Sequence, residues 1–147
     1  MKLSTKGRYA LRAMLELANN YYENNNSLID LKHIAKKQQL PIKYLEHLMS
    51  DLKKANLVFS ERGFSGGYKL KDDPNNINLF LILNSTENIA NLTQCLDKEF
   101  LCDLKKTCAT FEIWSGLKEV IIKYLQSLSL KNLYDIEKRK LSYAKTK

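Results

Sequence analysis

Three side chains in this sequence could do inorganic or redox chemistry: Cys95, Cys102 and Cys108, with six and then five residues between them in LTQCLDKEFLCDLKKTC. Thiolates are soft donors that suit zinc and iron–sulfur clusters alike, so residue type alone leaves the metal open. The plainer alternative is a set of buried apolar thiols or adventitious zinc ligands, because an unclaimed cysteine packs as a small hydrophobe. Three cysteines in one polar, charged segment favour a metal site over that alternative. The odd count and an expected reducing compartment argue against a disulfide framework. A thiol enzyme is disfavoured too, since there is no Cys-x-x-Cys, no Cys-His pair close in sequence and no nucleotide-binding glycine pattern. The chain is therefore read as a non-enzyme.

A second group of residues has the chemistry of recognition. In PIKYLEHLMSDLKK, Ile42, Leu45, Leu48, Met49 and Leu52 recur at spacings of three and four and form one apolar stripe. Lys43, Glu46, His47, Ser50, Lys53 and Lys54 then point away from it, as candidate DNA readers. Tyr44 suits helix packing and base contact equally, and His33 and His47 suit a surface or DNA-facing role better than metal binding. Further on, Arg62-Gly63-Phe64-Ser65-Gly66-Gly67 holds three of the five glycines. Such a loop can bring its backbone close to a phosphate or a minor groove and aim the Arg62 guanidinium there.

The elements that must position these groups follow from local signals. Ser4 or Thr5 can cap a first helix in which Leu11, Met14, Leu15 and Ala18 keep the 3.6 period to about Tyr22. After the polar Glu23–Ser27 turn, Leu31, Ile34 and Ala35 mark a short helix, broken at Gln38-Gln39-Leu40 before a second helix that opens at Pro41. Asn56 is a left-handed stop, and Leu57–Phe59 and Tyr68–Leu70 read as strands around the glycine loop. The order helix, turn, helix, strand, loop, strand is that of a winged helix-turn-helix. A short helix is expected over Ile77–Leu83 and a connector over Asn84–Asn91. From Thr110 to Leu128 an apolar face of Ile113, Trp114, Leu117, Val120, Ile121, Tyr124, Leu125 and Leu128 is too wide for a lone surface helix. A two-fold copy of the same helix is the simplest cover, and two-fold dimers match palindromic half-sites. Ser129 can cap a last short helix from Leu130, with a frayed tail after Lys138.

Composition limits the function classes. The formal charge is +8. Residues 1–70 carry 12 lysines and arginines against 6 acids, residues 71–109 carry 4 against 6, and residues 110–147 carry 8 against 4. A basic excess alone is usually a solvated face, but here it coincides with the winged-helix pattern. No long apolar run exists, so no membrane partner and a cytoplasmic location are expected.

Four patches together resemble the Rrf-type family of bacterial winged-helix regulators: the opening Met1–Ala10 (MKLSTKGRYA), Tyr44-Leu45-Glu46, Arg62-Gly63 with Gly66-Gly67-Tyr68, and the three cysteines. The resemblance covers residues 1 to about 135. It implies a mainly α fold with a small β-wing, namely a winged helix-turn-helix followed by a long C-terminal dimerisation helix. The expected organisation is a DNA-binding domain over 1–83, a cysteine loop over 84–109, and the dimerisation helix and tail over 110–147. By similarity Lys43, Tyr44, Glu46 and His47 fall where the family reads bases, Lys53 where it meets phosphate, and Arg62 with Gly63 where the wing enters the minor groove. The expected partners are a second copy, as homodimer, and double-stranded DNA bearing a pseudo-palindromic operator. The resemblance also implies an iron–sulfur cluster, 2Fe-2S or 4Fe-4S, on Cys95, Cys102 and Cys108, which an incomplete protein ligand set would leave prone to loss on purification. In the cluster-binding branch the gaps are usually five and five, and a histidine follows the last cysteine by three residues. Here the first gap is six and that position is Phe111, which cannot bind iron. The reading favoured from sequence is a transcriptional regulator whose operator affinity is set by that cluster. The alternative is a cluster-free regulator of the same family, controlled by a protein partner, a small molecule or thiol oxidation.

Overall fold

The computed structural model describes residues 4–87, 89, 92–97 and 99–146. Met1–Leu3 of the opening motif, and Asn88, Ala90 and Asn91 of the expected connector, lie outside the described residues. Helix α1 spans Thr5–Glu23, and Ser4 caps it by accepting from the Gly7 N–H. Helix α2, Leu31–Gln38, is capped by Asp30 and ends on Gln39 in the left-handed region at φ 52°. Helix α3 runs Ile42–Lys54. Pro41 is its N-cap rather than its first helical residue, so its missing N–H again removes no helical hydrogen bond. Asn56, at φ 63°, stops the chain after α3, and its left-handed backbone turns Leu57 back to donate to the Leu52 carbonyl.

Strands β1, Val58–Glu61, and β2, Gly67–Leu70, pair antiparallel with Val58 opposite Leu70 and Glu61 opposite Gly67. Ile29 adds an isolated bridge to Tyr68, exchanging both backbone hydrogen bonds. A Cβ on Gly67 would come within 2.4 Å of the Ile29 carbonyl oxygen, so glycine is required for that approach. Asn26 behaves like an extra peptide group, donating to the Leu70 carbonyl and accepting from the Leu70 N–H.

Helix α4, Leu79–Thr86, begins after Asn78, two residues later than the apolar run predicts, and extends into the expected connector. A 3-10 turn covers Gln94–Leu96; α5 spans Ala109–Gln126 and α6 spans Leu130–Lys145. The last helix is longer than expected, running past Lys138 to Lys145 where a frayed tail is predicted. Ser129 and Asn132 form a reciprocal capping box at its start. Its inner face then lies along α1, where Tyr134 stacks on Tyr22 at 4.6 Å, Asn19 donates to Glu137 at 2.8 Å and Lys138 reaches Glu23.

The core is one cluster that draws Met14 and Leu17 from α1, Ile34 from α2, Leu45, Leu48, Met49 and Leu52 from α3, Val58 and Leu70 from the sheet, Ile82 from α4 and Leu130 from α6. Helix α1 is central, in contact with α2, α3, β2, α4 and α6. For that reason its buried face is Ala10, Ala13, Met14, Leu17 and Ala18, while Leu11 and Leu15 of the expected stripe are only half-buried. Ile42 also departs from its stripe at 38% exposed, because the first turn of α3 projects past the core.

Helix α5 packs only shallowly on this body, against α4 and the 3-10 turn and through Leu125 against the core. None of its residues is buried, and Ile113, Trp114, Leu117, Val120 and Tyr124 are exposed. It is anchored at its C-terminal end, where Leu79 donates to the Leu128 carbonyl and Leu130 donates to that of Ile77.

Candidate nucleic-acid interface and cysteine segment

The buried stripe of α3 fixes what its other face can present. With Leu45, Leu48, Met49 and Leu52 turned into the core, Lys43, Tyr44, Glu46, His47 and Lys53 are all exposed. One side of one helix therefore carries two ammonium groups, a carboxylate, an imidazole and a phenol. Tyr44 combines the two roles open to it in sequence: its ring meets Tyr9 of α1 edge-on at 5.4 Å and is still 37% exposed. Lys6 of α1 pairs with Asp51 of α3 at 2.7 Å, and this hydrogen bond holds the Asp51 carboxyl below the usual carboxylate range. Both tyrosine and lysine contacts tie α3 to the first two turns of α1.

The wing follows directly from α3. Arg62 is exposed at its root, and Gly63 sits at φ 113°, a backbone that side-chain-bearing residues rarely adopt. The Gly66 N–H closes the tip on the Gly63 carbonyl at 3.1 Å. Across the hairpin, Lys69 lies over the Phe59 ring at 5.3 Å.

Sequence reasoning missed the polar joint that sets α2 against α1. Glu16 of α1 is 7% exposed and its carboxylate meets His33 Nε2 at 3.2 Å and accepts from Gln38 Nε2 at 3.0 Å. Arg12 donates to the Gln38 carbonyl. The available signal was a charged residue between Ala13, Leu17 and Asn20 on the buried face of α1, which demands a partner. A second missed feature is Glu87, the C-cap of α4. Its Oε1 is buried without a hydrogen-bond partner and would lie 2.0 Å from a Cβ at Gly7, so the bare first turn of α1 makes room for it.

The cysteines lie between α4 and α5. Cys95 is in the 3-10 turn with its Sγ 3.0 Å from Thr93 Oγ1. Cys102 opens a turn closed by the Lys105 N–H. Cys108 is the N-cap residue of α5; the Thr110 hydroxyl at 3.1 Å and the Phe111 and Thr110 amides hold its thiol below the usual range. All three are free and half-buried. Phe111 is covered by the Lys105 ammonium at 5.1 Å. Among the described residues, no three His, Cys, Asp or Glu side chains gather where one metal ion could be held. The three soft thiols are the right donor type for a cluster, but their placement and the cation-covered Phe111 do not form its ligand set.

A family model described as "Rrf2: Iron-dependent Transcriptional regulator" matches residues 3–136. The chain belongs to the Rrf2 family. The HTH-type transcriptional regulator IscR of Aliivibrio salmonicida is 38% identical over 133 residues, which cover 90% of this chain and 77% of that protein. Among solved structures, CymR (YrzC), the global cysteine regulator of B. subtilis, superposes with a TM-score of 0.73 at 35% identity, covering 92% of this chain and 98% of that one. T. potens IscR follows at 0.72 and 33% identity, covering 93% and 88%. The expected winged-helix fold is thus the Rrf2 fold, and the chain is a transcriptional regulator rather than an enzyme. No helix among the described residues is long and apolar enough to cross a membrane.

Proposed function

We propose that this Rrf2 regulator acts in the cytoplasm as a homodimer on a pseudo-palindromic DNA operator. In this reading Lys43, Tyr44, Glu46 and His47 read base edges, Lys53 meets phosphate, and Arg62 with Gly63 approaches the minor groove. The observation that supports it most is the exposed polar and basic face of α3, held against a fully buried stripe and followed at once by an arginine-bearing wing. Glu46 can accept from a cytosine N4 and repels the backbone at wrong sites, whereas Lys53 attracts any phosphate. The dimer is supported by α5, on which Ile113, Trp114, Leu117, Val120 and Tyr124 stay exposed although its other side packs on α4 and the 3-10 turn.

The test is binding of duplex DNA by fluorescence anisotropy across a salt series. Glu46→Ala is expected to change sequence preference, and Lys53→Ala to weaken all sequences alike while lowering the salt slope by about one. Equal losses on selected and random DNA for both variants would refute this division of roles.

The cysteine segment is the sensory element of the same reading. Control of operator affinity by an iron–sulfur cluster is supported by three soft thiols in one segment, by the family's iron-dependent description and by the IscR relative. Control without a cluster is supported by the thiols' failure to converge, by the cation over Phe111, and by a likeness to a cysteine regulator as close as that to IscR. Anaerobic reconstitution with iron and sulfide separates the two. Absorbance that requires all three cysteines supports the cluster, and no uptake of iron by the wild type leaves the cluster-free regulator.

A further inference from the structure

The tip of the wing carries a side chain that nothing in the fold uses. Phe64 is exposed at 111% of its reference area, more than any other large apolar residue described. It is the second residue of a four-residue turn, Gly63 to Gly66, closed by the Gly66 N–H on the Gly63 carbonyl. Both ends of that turn require glycine. Gly63 has φ 113°, and a Cβ on Gly66 would sit 2.3 Å from the Glu61 carbonyl oxygen. The strands below are in fixed register, Glu61 opposite Gly67. The sequence thus builds a closed hairpin whose apex presents one phenyl ring, two residues after the exposed Arg62 at its root.

An aromatic ring in this position loses nothing to local packing and gains whatever apolar surface it can enter. The occupant must accept an apolar wedge and an adjacent cation together. Base steps in a DNA groove have both properties, since the base faces are apolar and phosphates line the walls of the groove. Proteins that approach the minor groove commonly insert Phe, Leu, Ile, Met or Pro between base steps beside an Arg or Lys. The wing is also continuous with α3, the DNA-facing helix of the proposed function, on which this inference rests.

We infer that Phe64 is a wedge that enters a base step flanking the sequence read by α3, and that it makes this protein prefer a flexible step there. Pyrimidine–purine steps such as TA and CA unstack most easily, so the ring selects them through deformation without hydrogen bonding to any base. Because the ring carries no charge, its contribution is independent of salt.

The experiment uses the full chain and a duplex recovered by the wild-type protein from a random-sequence pool. Phe64→Ala is expected to weaken binding by about 10–100-fold, the value of burying a phenyl group, with an unchanged salt slope. Phe64→Leu should retain most of the affinity. With 2-aminopurine placed through the flank, wild-type binding should raise fluorescence at one step and Phe64→Ala should not. Replacing that step by a stiff A-tract should cost the wild type affinity but leave Phe64→Ala unaffected. Wild-type affinity in Phe64→Ala, no fluorescent step, or equal losses on both duplexes overturns the wedge while leaving DNA binding in place. Arg62→Ala, which should lower both affinity and salt slope, reports on the DNA reading separately. A wild-type protein that binds no duplex overturns both.

Discussion

Removing the Glu16 carboxylate should destabilise the protein out of proportion to the size of the group. Glu16 is 7% exposed and is the shared acceptor for His33 Nε2 at 3.2 Å and Gln38 Nε2 at 3.0 Å, one near each end of α2. A hydrogen bond to a charged group contributes about 1.5–3 kcal/mol. His33 is half exposed and can turn to water when its partner is lost, which reduces its share. Relief of burying a carboxylate offsets part of the remainder. Glu16→Ala should therefore cost about 2–3 kcal/mol, which for a chain of this length lowers the melting temperature by roughly 4–12 °C. Glu16→Gln keeps the shape but sets an amide donor against one of the two donors, and should fall between wild type and Ala. Thermal melts at fixed protein concentration read these values, and a double-mutant cycle with Gln38→Ala should return a coupling of about 1 kcal/mol. A Glu16→Ala protein within about 0.5 kcal/mol of wild type would show that α2 is held by its apolar face alone.

Val120→Asp, on the exposed face of α5, should convert the proposed dimer to monomers in sedimentation velocity while leaving the winged-helix core folded. Gly66→Ala should unfold the wing locally, since the new Cβ would meet backbone at 2.3 Å with no flexible side chain to yield; amide exchange at Tyr68 and Lys69 should speed up more than at Leu48. Asp51 has a lowered carboxyl in the folded state, so its stabilisation is present above the unfolded value and is lost as pH falls through the folded one. Asp51→Asn should therefore differ from wild type near neutrality by no more than about 1 kcal/mol, the pair being partly exposed, and in acid denaturation the difference should begin to shrink near about pH 4 and vanish only below the lowered folded value. In the metal-free protein Cys108 should react with iodoacetamide before Cys95 and Cys102 near pH 7–8, and Thr110→Val should slow it by removing the hydroxyl that favours the thiolate.

Signals that act within a few residues were legible in the sequence. Ser4 as a cap, Asn56 as a stop, Ser129 opening the last helix and the glycines of the wing each impose their conformation through their own backbone or nearest hydrogen bond. The alternation on α3 was equally plain, because four residues at helical spacing can face only one core. What the sequence hid depends on neighbours distant in the chain. The first half of helix α6 is fixed by α1, more than a hundred residues earlier, through Asn19 with Glu137 and Tyr22 with Tyr134, while residues 139–145 continue the helix exposed. The buried face of α1 is turned from the predicted stripe because five elements surround it, and a hydrophobic period reports only how wide a face is. The cysteines show the same limit at the site. Their spacing announces shared chemistry, but it does not reveal that Thr93 and Thr110 hydroxyls hold two of the thiols or that a lysine lies over Phe111.

The bareness of α5 has a consequence for how the regulator responds to its own abundance. A helix with no fully buried residue, resting only shallowly on α4 and the 3-10 turn, draws much of its tertiary stabilisation from association. In the proposed dimer, the ordered fraction of α5 then rises in proportion to the protomer concentration, and occupancy of paired half-sites with its square, until pairing saturates. Synthesis and degradation of the protein would thus set a threshold for action, one that operates whatever the cysteine segment senses. A paralogue or a truncated copy that still carried residues 109–130 would titrate the protein into mixed pairs and raise that threshold.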